Sequence, residues 1–209
     1  SSDLEKILQE VRNLQRSEIA EVAEFFDTKK QVGSSTMAHK KNPITAENAC
    51  GLARIVRSMI IPSYENALLW HERDLANSSA ERFTLSHSMI LLDDITVKCN
   101  GVLSKLVVDS DKMMDNINAQ NGLVMAEKLM LVLVDKGMTR EESHEVLRNA
   151  SMTAIENKIH LMEVCNNDSR ITDLISSEIL EEAFKPENHL GFSGLIVDNT
   201  VSKARLMLK

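Results

Sequence analysis

The stretch RFTLSHSMILLDDITVKCNGVLSKLVV, residues 82–108, carries apolar side chains at the spacing of an α-helix. Those on one face are Leu85, Met89, Leu92, Ile95, Cys99 and Val102. This pattern predicts one long helix with a continuous packing face. A loop-like stretch, residues 70–81, precedes it.

A partner helix is predicted upstream, starting at Asn42-Pro43. Asn is a favoured N-cap, and Pro at the first helical position needs no backbone donor. The packing face of this helix is rich in small side chains, namely Ala46, Ala49, Ala53, Val56 and Ile60, and Pro62 is expected to kink or end it. Small side chains on one helix and aliphatic ones on the other favour close antiparallel packing.

Helix-start signals flank this pair of helices. Ser2 and Glu5 have the spacing of a capping box, as do Thr139 and Glu142. Gly137 is predicted to end the helix before the second box. The predicted helices after residue 108 are shorter and cover 109–117, 123–136, 139–164, 177–184 and 195–209.

The composition agrees with an all-α fold. Seven Gly, three Pro and few aromatic residues are combined with abundant Leu, Ile, Met, Ala, Glu and Lys. We predict a long antiparallel helical bundle over 1–108, followed by a smaller helical C-terminal domain over 109–209. The net charge of −7 argues against nucleic-acid and anionic-membrane partners, and the apolar run 129–134 is too short to cross a bilayer.

Cys50, Cys99 and Cys165 are odd in number, widely separated and outside any Cys-x-x-Cys pattern. They are predicted to be free buried thiols in a reducing cytosol, with a redox or metal role as the alternative. The pair His71-Glu72 lacks the second His of a zinc motif, because position 75 is Leu. We therefore predict a cytoplasmic protein without metal or cofactor. The first residue, Ser1, also suggests a truncated or cleaved product.

The segment 28–42 interrupts the helical periodicity and is predicted to be an exposed, functional loop. It is Ser-rich and basic, with Lys29, Lys30, His39, Lys40 and Lys41. Charge alone leaves two interpretations open, an anion-attracting loop or an ordinary solvated one. Lys40 and Asn42 would suit the first, because a cation and a fixed donor stabilise a developing negative charge.

Residues 33–43, GSSTMAHKKNP, resemble the signature loop of the fumarase/aspartase superfamily, Gly-Ser-Ser-x-Met-Pro-x-Lys-x-Asn. Ala38 departs from it, standing where the superfamily has Pro. The resemblance implies that Ser34 is the general base and that Lys40 and Asn42 stabilise the carbanion. By the same resemblance, the substrate is contacted by Ser35, Thr36 and Met37.

Glu47 follows in the first turns of the predicted helix. One interpretation is a carboxylate that complements the positive end of the helix dipole. The resemblance implies another, in which Glu47 orients a catalytic His supplied by a different segment.

Residues 70–82, WHERDLANSSAER, resemble a segment of the adenylosuccinate lyases and narrow the superfamily to that branch. Guanidinium groups bind phosphate oxygens in pairs. Arg73, Ser78 and Arg82 are therefore candidates for holding the phosphate of a nucleotide substrate. The likeness loosens but continues to the end of the chain, for example at 122–124 and 136–142.

The resemblance implies β-elimination of fumarate from adenylosuccinate, giving AMP, and from succinyl-aminoimidazole carboxamide ribotide. It also implies a homotetramer whose active sites are shared between subunits, with residues 1–108 forming part of the central domain. The catalytic His is not in this sequence and is expected upstream, so an isolated chain is expected to be inactive. Two alternatives remain open, a non-catalytic helical assembly module and another superfamily lyase such as argininosuccinate lyase.

Overall fold

A computed structural model describes residues 1–26 and 41–208 of the chain. Its contacts divide the chain into two compact units, Ser1–Met114 and Asp115–Lys209. The sequence-based domain boundary, between 108 and 109, stays a prediction. Most of the predicted functional loop, residues 28–40, lies outside the described residues.

The described residues are mainly helical with almost no sheet, which confirms the predicted all-α class. The helices in chain order are α1 (Ser2–Leu14), α2 (Ile44–Ser58), α3 (Ile60–Glu65), α4 (Ala76–Ser104), α5 (Ser110–Asn118), α6 (Ala126–Asp135), α7 (Arg140–Asn157), α8 (Leu161–Asn166), α9 (Ser169–Thr172), α10 (Ser177–Ala183) and α11 (Ser193–Met207). Two 3₁₀ helices cover Leu123–Met125 and Pro186–His189. Within the described ranges, no helix is long and apolar enough to cross a membrane.

The first unit is built on α1, α2 and α4, which enclose one apolar core. Its fully or largely buried residues are Leu8, Val11, Ala46, Ala49, Cys50, Ala53, Ile95, Cys99 and Val102. The small face of α2 therefore packs against the last turns of α4, as the sequence predicts. The amino-terminal part of the predicted packing face of α4 is not buried, because Leu85 and Met89 are exposed.

The predicted capping box at Ser2 is wrong. Helix α1 has Ser1 as its N-cap and no side-chain cap. The Glu5 carboxylate instead forms ion pairs with Arg54, at 3.6 Å, and with Arg57, both on α2. The hydrogen bond from Arg57 is the main reason that the pKa of Glu5 is lowered. Two guanidinium groups thus outcompete the local amide for this carboxylate.

The predicted start of α2 also needs correction. The helix begins at Ile44, its N-cap position is Pro43, and the Asn42 side chain does not cap it. Pro62 neither ends nor kinks α2, which stops at Ser58. Pro62 is the third residue of α3, where a backbone N–H has no intrahelical partner to lose.

Two short strands were not predicted. β1 (Val22–Ala23) and β2 (Val107–Val108) pair antiparallel, with Val22 opposite Val108. Two residues are too few to show the alternation by which strands are recognised in a sequence. Because β2 follows the last turn of α4, the pairing fixes the segment after α1 to that end of α4.

The second unit encloses its own core, formed by α6, α7, α8, α9 and α10. Its residues buried to 0% exposure are Leu129, Leu133, Leu161, Cys165 and Ile171. The predicted capping box of α7 is confirmed, since the amide of Glu142 donates to Thr139 Oγ1 at 3.2 Å and the amide of Thr139 donates to the Glu142 carboxylate at 3.1 Å.

The helix predicted over 139–164 is two helices. Lys158 adopts a left-handed backbone with φ 55° and ends α7. The Nδ1 atom of His160 then accepts a hydrogen bond from the amide of Met162, at 3.2 Å, and so caps α8. A lysine and a histidine in these terminal roles give little sequence signal.

Gly122 lies where the chain turns against His160. Its φ is +78°, and a Cβ atom at this position would lie 2.5 Å from His160 Cε1 and 3.0 Å from Phe184 Cε1. Both the backbone conformation and the available space therefore require glycine.

Gly122→Ala is expected to lower the free energy of unfolding by about 2 kcal/mol or more, through left-handed strain and overpacking. Chemical denaturation followed by circular dichroism measures the change. Gly194→Ala is the control in the same unit. No described heavy atom lies within 4 Å of its added Cβ, so a change within about 0.5 kcal/mol is expected. Equal effects of both substitutions would contradict this account.

The three cysteines are free and buried, as predicted. Burial, with a smaller effect from the charge of Asp168, raises the pKa of Cys165 to about 12. Burial also raises the pKa of Cys99.

We therefore expect no alkylation of the native chain by iodoacetamide at pH 8, and modification of every cysteine after denaturation, as read by intact mass. Rapid labelling of Cys165 in the native chain would contradict this expectation.

Candidate active site

Two of the predicted catalytic residues, Asn42 and Glu47, lie at the amino-terminal end of α2. Asn42 is half-buried directly before the helix, and its carbonyl oxygen accepts a hydrogen bond from the amide of Ile44 at 2.9 Å. Glu47 is exposed in the first turn of α2. The other predicted residues of this group, Ser34, Ser35, Thr36, Met37 and Lys40, lie outside the described residues.

A buried carboxylate that the sequence analysis missed holds this end of α2. The Glu24 carboxylate accepts hydrogen bonds from the amides of Thr45, at 3.2 Å, and Ala46, at 3.1 Å. The Gln15 side chain accepts from the amide of Glu24 at 2.8 Å and donates to the carbonyl of Lys41 at 3.0 Å. No local spacing reveals these contacts, because the partners of Glu24 on α2 are 21 and 22 residues away.

The predicted phosphate-binding residues lie around the start of α4. The Asp74 carboxylate accepts hydrogen bonds from the amides of Ala76, at 2.8 Å, and Trp70, at 2.9 Å. These two bonds, that from Ala76 first, lower the pKa of Asp74. They close a turn that contains Arg73. Helix α4 begins after this turn at Ala76, six residues before the start predicted at Arg82.

Both guanidinium groups of this cluster are exposed, whereas Ser78, in the first turn of α4, is half-buried. Arg73 precedes the helix, and Arg82 lies in its second turn. Exposed cations next to a hydroxyl at a helix start are suited to receive a phosphate group.

Helix α2 runs antiparallel to α4. This direction separates the predicted catalytic residues at the start of α2 from the predicted phosphate-binding residues at the start of α4. Near the start of α2, Lys98 Nζ donates to Asn48 Oδ1 at 2.6 Å and to the carboxylate of Asp94 at 2.5 Å. Near the end of α2, Val56 lines a groove together with Thr84.

The separation follows from the geometry of one helix. Arg82 precedes Lys98 on α4, and the rise of an α-helix puts about 24 Å between them along the axis. Asn42 and Glu47 lie near Asn48, at the Lys98 end of the pair. A single chain therefore does not bring Asn42 and Arg82 together.

Among residues 1–26 and 41–208, no group of three or more His, Cys, Asp and Glu side chains is arranged to hold a metal ion.

Comparison with known proteins adds the family. A family model described as adenylosuccinate lyase C-terminus matches residues 122–200, and one described as lyase matches residues 1–58. The chain is 43% identical to an adenylosuccinate lyase of Archaeoglobus fulgidus over its whole length, and 46% identical to that of Pyrococcus horikoshii over 96% of its length. This chain belongs to the adenylosuccinate lyase family. It spans 47% and 44%, respectively, of these two relatives.

Solved structures place this adenylosuccinate lyase family member in a wider fold group. A 3-carboxy-cis,cis-muconate lactonizing enzyme of Pseudomonas putida matches with a TM-score of 0.87 and 26% identity, over 99% of this chain and 45% of that one. A fumarate lyase of Mesorhizobium sp. BNC1 matches with a TM-score of 0.83 and 25% identity, over 96% and 44%. These likenesses support the all-α superfamily fold expected from residues 33–43.

Proposed function

We propose that this chain supplies two parts of an adenylosuccinate lyase active site. The reaction is β-elimination of fumarate from adenylosuccinate, giving AMP, and from succinyl-aminoimidazole carboxamide ribotide. The observation that carries the proposal is the identity of 43–46% to archaeal adenylosuccinate lyases over almost the whole chain. The chain spans less than half the length of those relatives, and in this proposal the remaining groups of the active site lie outside it.

The first part is the segment before and at the start of α2. In the proposed reaction, Ser34 removes the Cβ proton, while Lys40 and Asn42 stabilise the resulting dianion. Ser35, Thr36 and Met37 contact the substrate. Glu47, exposed on α2, orients a His from another segment, and that His protonates the leaving nitrogen.

The second part is the start of α4, which binds the nucleotide phosphate. Arg73 and Arg82 provide charge-assisted hydrogen bonds to phosphate oxygens, and Ser78 provides a hydroxyl. The exposure of both guanidinium groups leaves these donors accessible. This part also separates the proposal from argininosuccinate lyase, whose substrate has no phosphate.

The two parts belong to different copies of the chain in any one site. Asn42 and Arg82 lie at opposite ends of the α2–α4 pair, and Arg82 is about 24 Å along the helix axis from Lys98, which marks the Asn42 end. One nucleotide substrate does not bridge such a distance. Antiparallel association of two copies of α4 brings the start of one helix next to the end of the other, and so completes two sites at once.

The surface of α4 supports this association. Its exposed apolar side chains include Phe83 at 65%, Met89 at 72%, Ile90 at 66% and Val97 at 63% exposure. A helix that is apolar on several sides is buried in its functional state. We propose that copies of α4 pack together in a homotetramer, located in the cytoplasm, with residues 1–108 in its central bundle and 109–209 as a separate domain.

A non-catalytic assembly module is the weaker alternative. It accounts for the apolar surface of α4 but needs neither Asn42 nor the two arginines at the other end. Arg73 and Arg82 are exposed, so the packing of this chain does not need them.

Mixed oligomers test the shared site. In a full-length protein that contains this chain, Asn42→Ala and Arg82→Ala are each expected to lower kcat/KM by about 100-fold. Co-assembly of the two variants is expected to restore about a quarter of wild-type activity, because random mixing leaves intact copies of both groups at some sites. Fumarate release, read by ultraviolet absorbance, measures the activity.

The matched control combines two variants whose substitutions both lie at the start of α2. Asn42→Ala mixed with Glu47→Gln is expected to stay inactive, because both residues of one site come from one chain. The 209-residue chain alone is also expected to release no fumarate. Recovery in the control mixture, or none in the Asn42 and Arg82 mixture, would refute the proposed division of the site.

A further inference from the structure

The flanks of residues 27–40 are tied together by one network of hydrogen bonds. On the upstream side, Glu24 is only 9% exposed and its amide donates to Gln15. On the downstream side, the carbonyl of Lys41 accepts from the same Gln15 side chain. The Lys41 ammonium also lies 5.9 Å from the centre of the Phe26 ring. One glutamine thus bridges both flanks.

The Glu24 carboxylate extends this network into α2. It accepts from the amides of Thr45 and Ala46, which have no intrahelical partners. A negative charge at this position is favoured by the helix dipole and by charge-assisted hydrogen bonding. The position of the first turn of α2, and of Asn42 before it, therefore depends on a residue outside the helix.

The upstream flank is itself anchored to α4. Val22 is buried and pairs with Val108, and the amide of Asp109 donates to the carbonyl of Glu21 at 2.9 Å. The end of α1, the start of α2 and the end of α4 therefore meet around Glu24. A displacement of α2 breaks its hydrogen bonds to Glu24, which the pairing of β1 with β2 holds near the end of α4.

We propose that Glu24 and Gln15 are positioning residues of the lyase reaction. They fix both flanks of residues 27–40 and hold Asn42 and Glu47 at one place relative to the end of α4. Neither residue contacts the substrate in this proposal, which rests on the proposed function. A misplacement of catalytic groups by about 1 Å costs about 100-fold in rate, so the network has a large effect on turnover.

Two substitutions remove the network while preserving size. Glu24→Gln replaces one acceptor oxygen by an amide nitrogen that opposes the helix amides. Gln15→Glu keeps an acceptor for the Glu24 amide but replaces the donor to the Lys41 carbonyl by an oxygen. In full-length protein, each is expected to lower kcat by about 10-fold or more, with KM changed less than about threefold.

Glu5→Gln is the matched control. Like Glu24, Glu5 is a carboxylate that joins another segment to α2, but it pairs with Arg54 and Arg57 near the other end of the helix. It is expected to change thermal stability only slightly and to leave kcat within about twofold of wild type. Amide hydrogen exchange over residues 41–49 provides a readout that does not depend on activity. Exchange there is expected to be faster by about 10-fold in Glu24→Gln and unchanged in Glu5→Gln.

The outcomes are distinct. A fall in kcat for Glu24→Gln and Gln15→Glu, with faster exchange over 41–49 and normal kcat for Glu5→Gln, supports the positioning role. Unchanged kcat despite faster exchange overturns it, as does an equal loss of kcat in all three variants. Wild-type protein that releases no fumarate overturns the proposed function, and the exchange rates then still show whether Glu24 holds α2.

Discussion

The antiparallel packing of α2 on α4 is the constraint on which the rest of the molecule depends. Ala46, Ala49 and Ala53 on α2 allow the backbone to approach Ile95, Cys99 and Val102 closely. Lys98 fixes the register of the pair by donating to Asn48. Once this direction is set, the start of α2 and the start of α4 lie at opposite ends of the bundle. The proposed sharing of sites between copies follows from that placement.

Helix α2 is held to other segments by carboxylates at both of its ends. Glu5 on α1 forms ion pairs with Arg54 and Arg57 near the last turn of α2. Glu24 accepts hydrogen bonds from the amides of Thr45 and Ala46 in its first turn. The first contact is between side chains and is partly exposed, so it adds little to stability. The second is buried and acts on the backbone, which makes it the stronger control over where Asn42 lies.

The helical class, the packed faces of α2 and α4 and the capping box at Thr139 were predictable because each depends on residues close in sequence or on a regular period. The wrong cap at Ser2 and the missed role of Glu24 have one cause. In both, a carboxylate binds a partner distant in sequence, and local spacing carries no trace of such pairing. The two-residue strands were not predicted because they are too short to show an alternating pattern. The exposed start of α4 was not predicted because its apolar face is not covered within this chain.

The site residues between 33 and 43 were recognisable only as a motif, since their roles come from resemblance and not from geometry. The start of α4 is different, because its exposed arginines and the turn closed by Asp74 are visible in the structure.

The central claim is that the residues at the start of α2 in one copy meet the residues at the start of α4 in another copy. A crystal structure of the full-length protein with AMP and fumarate tests it most directly: Asn42 and Arg82 at one site should come from two different chains. Both residues from the same chain contacting one bound pair would contradict the account.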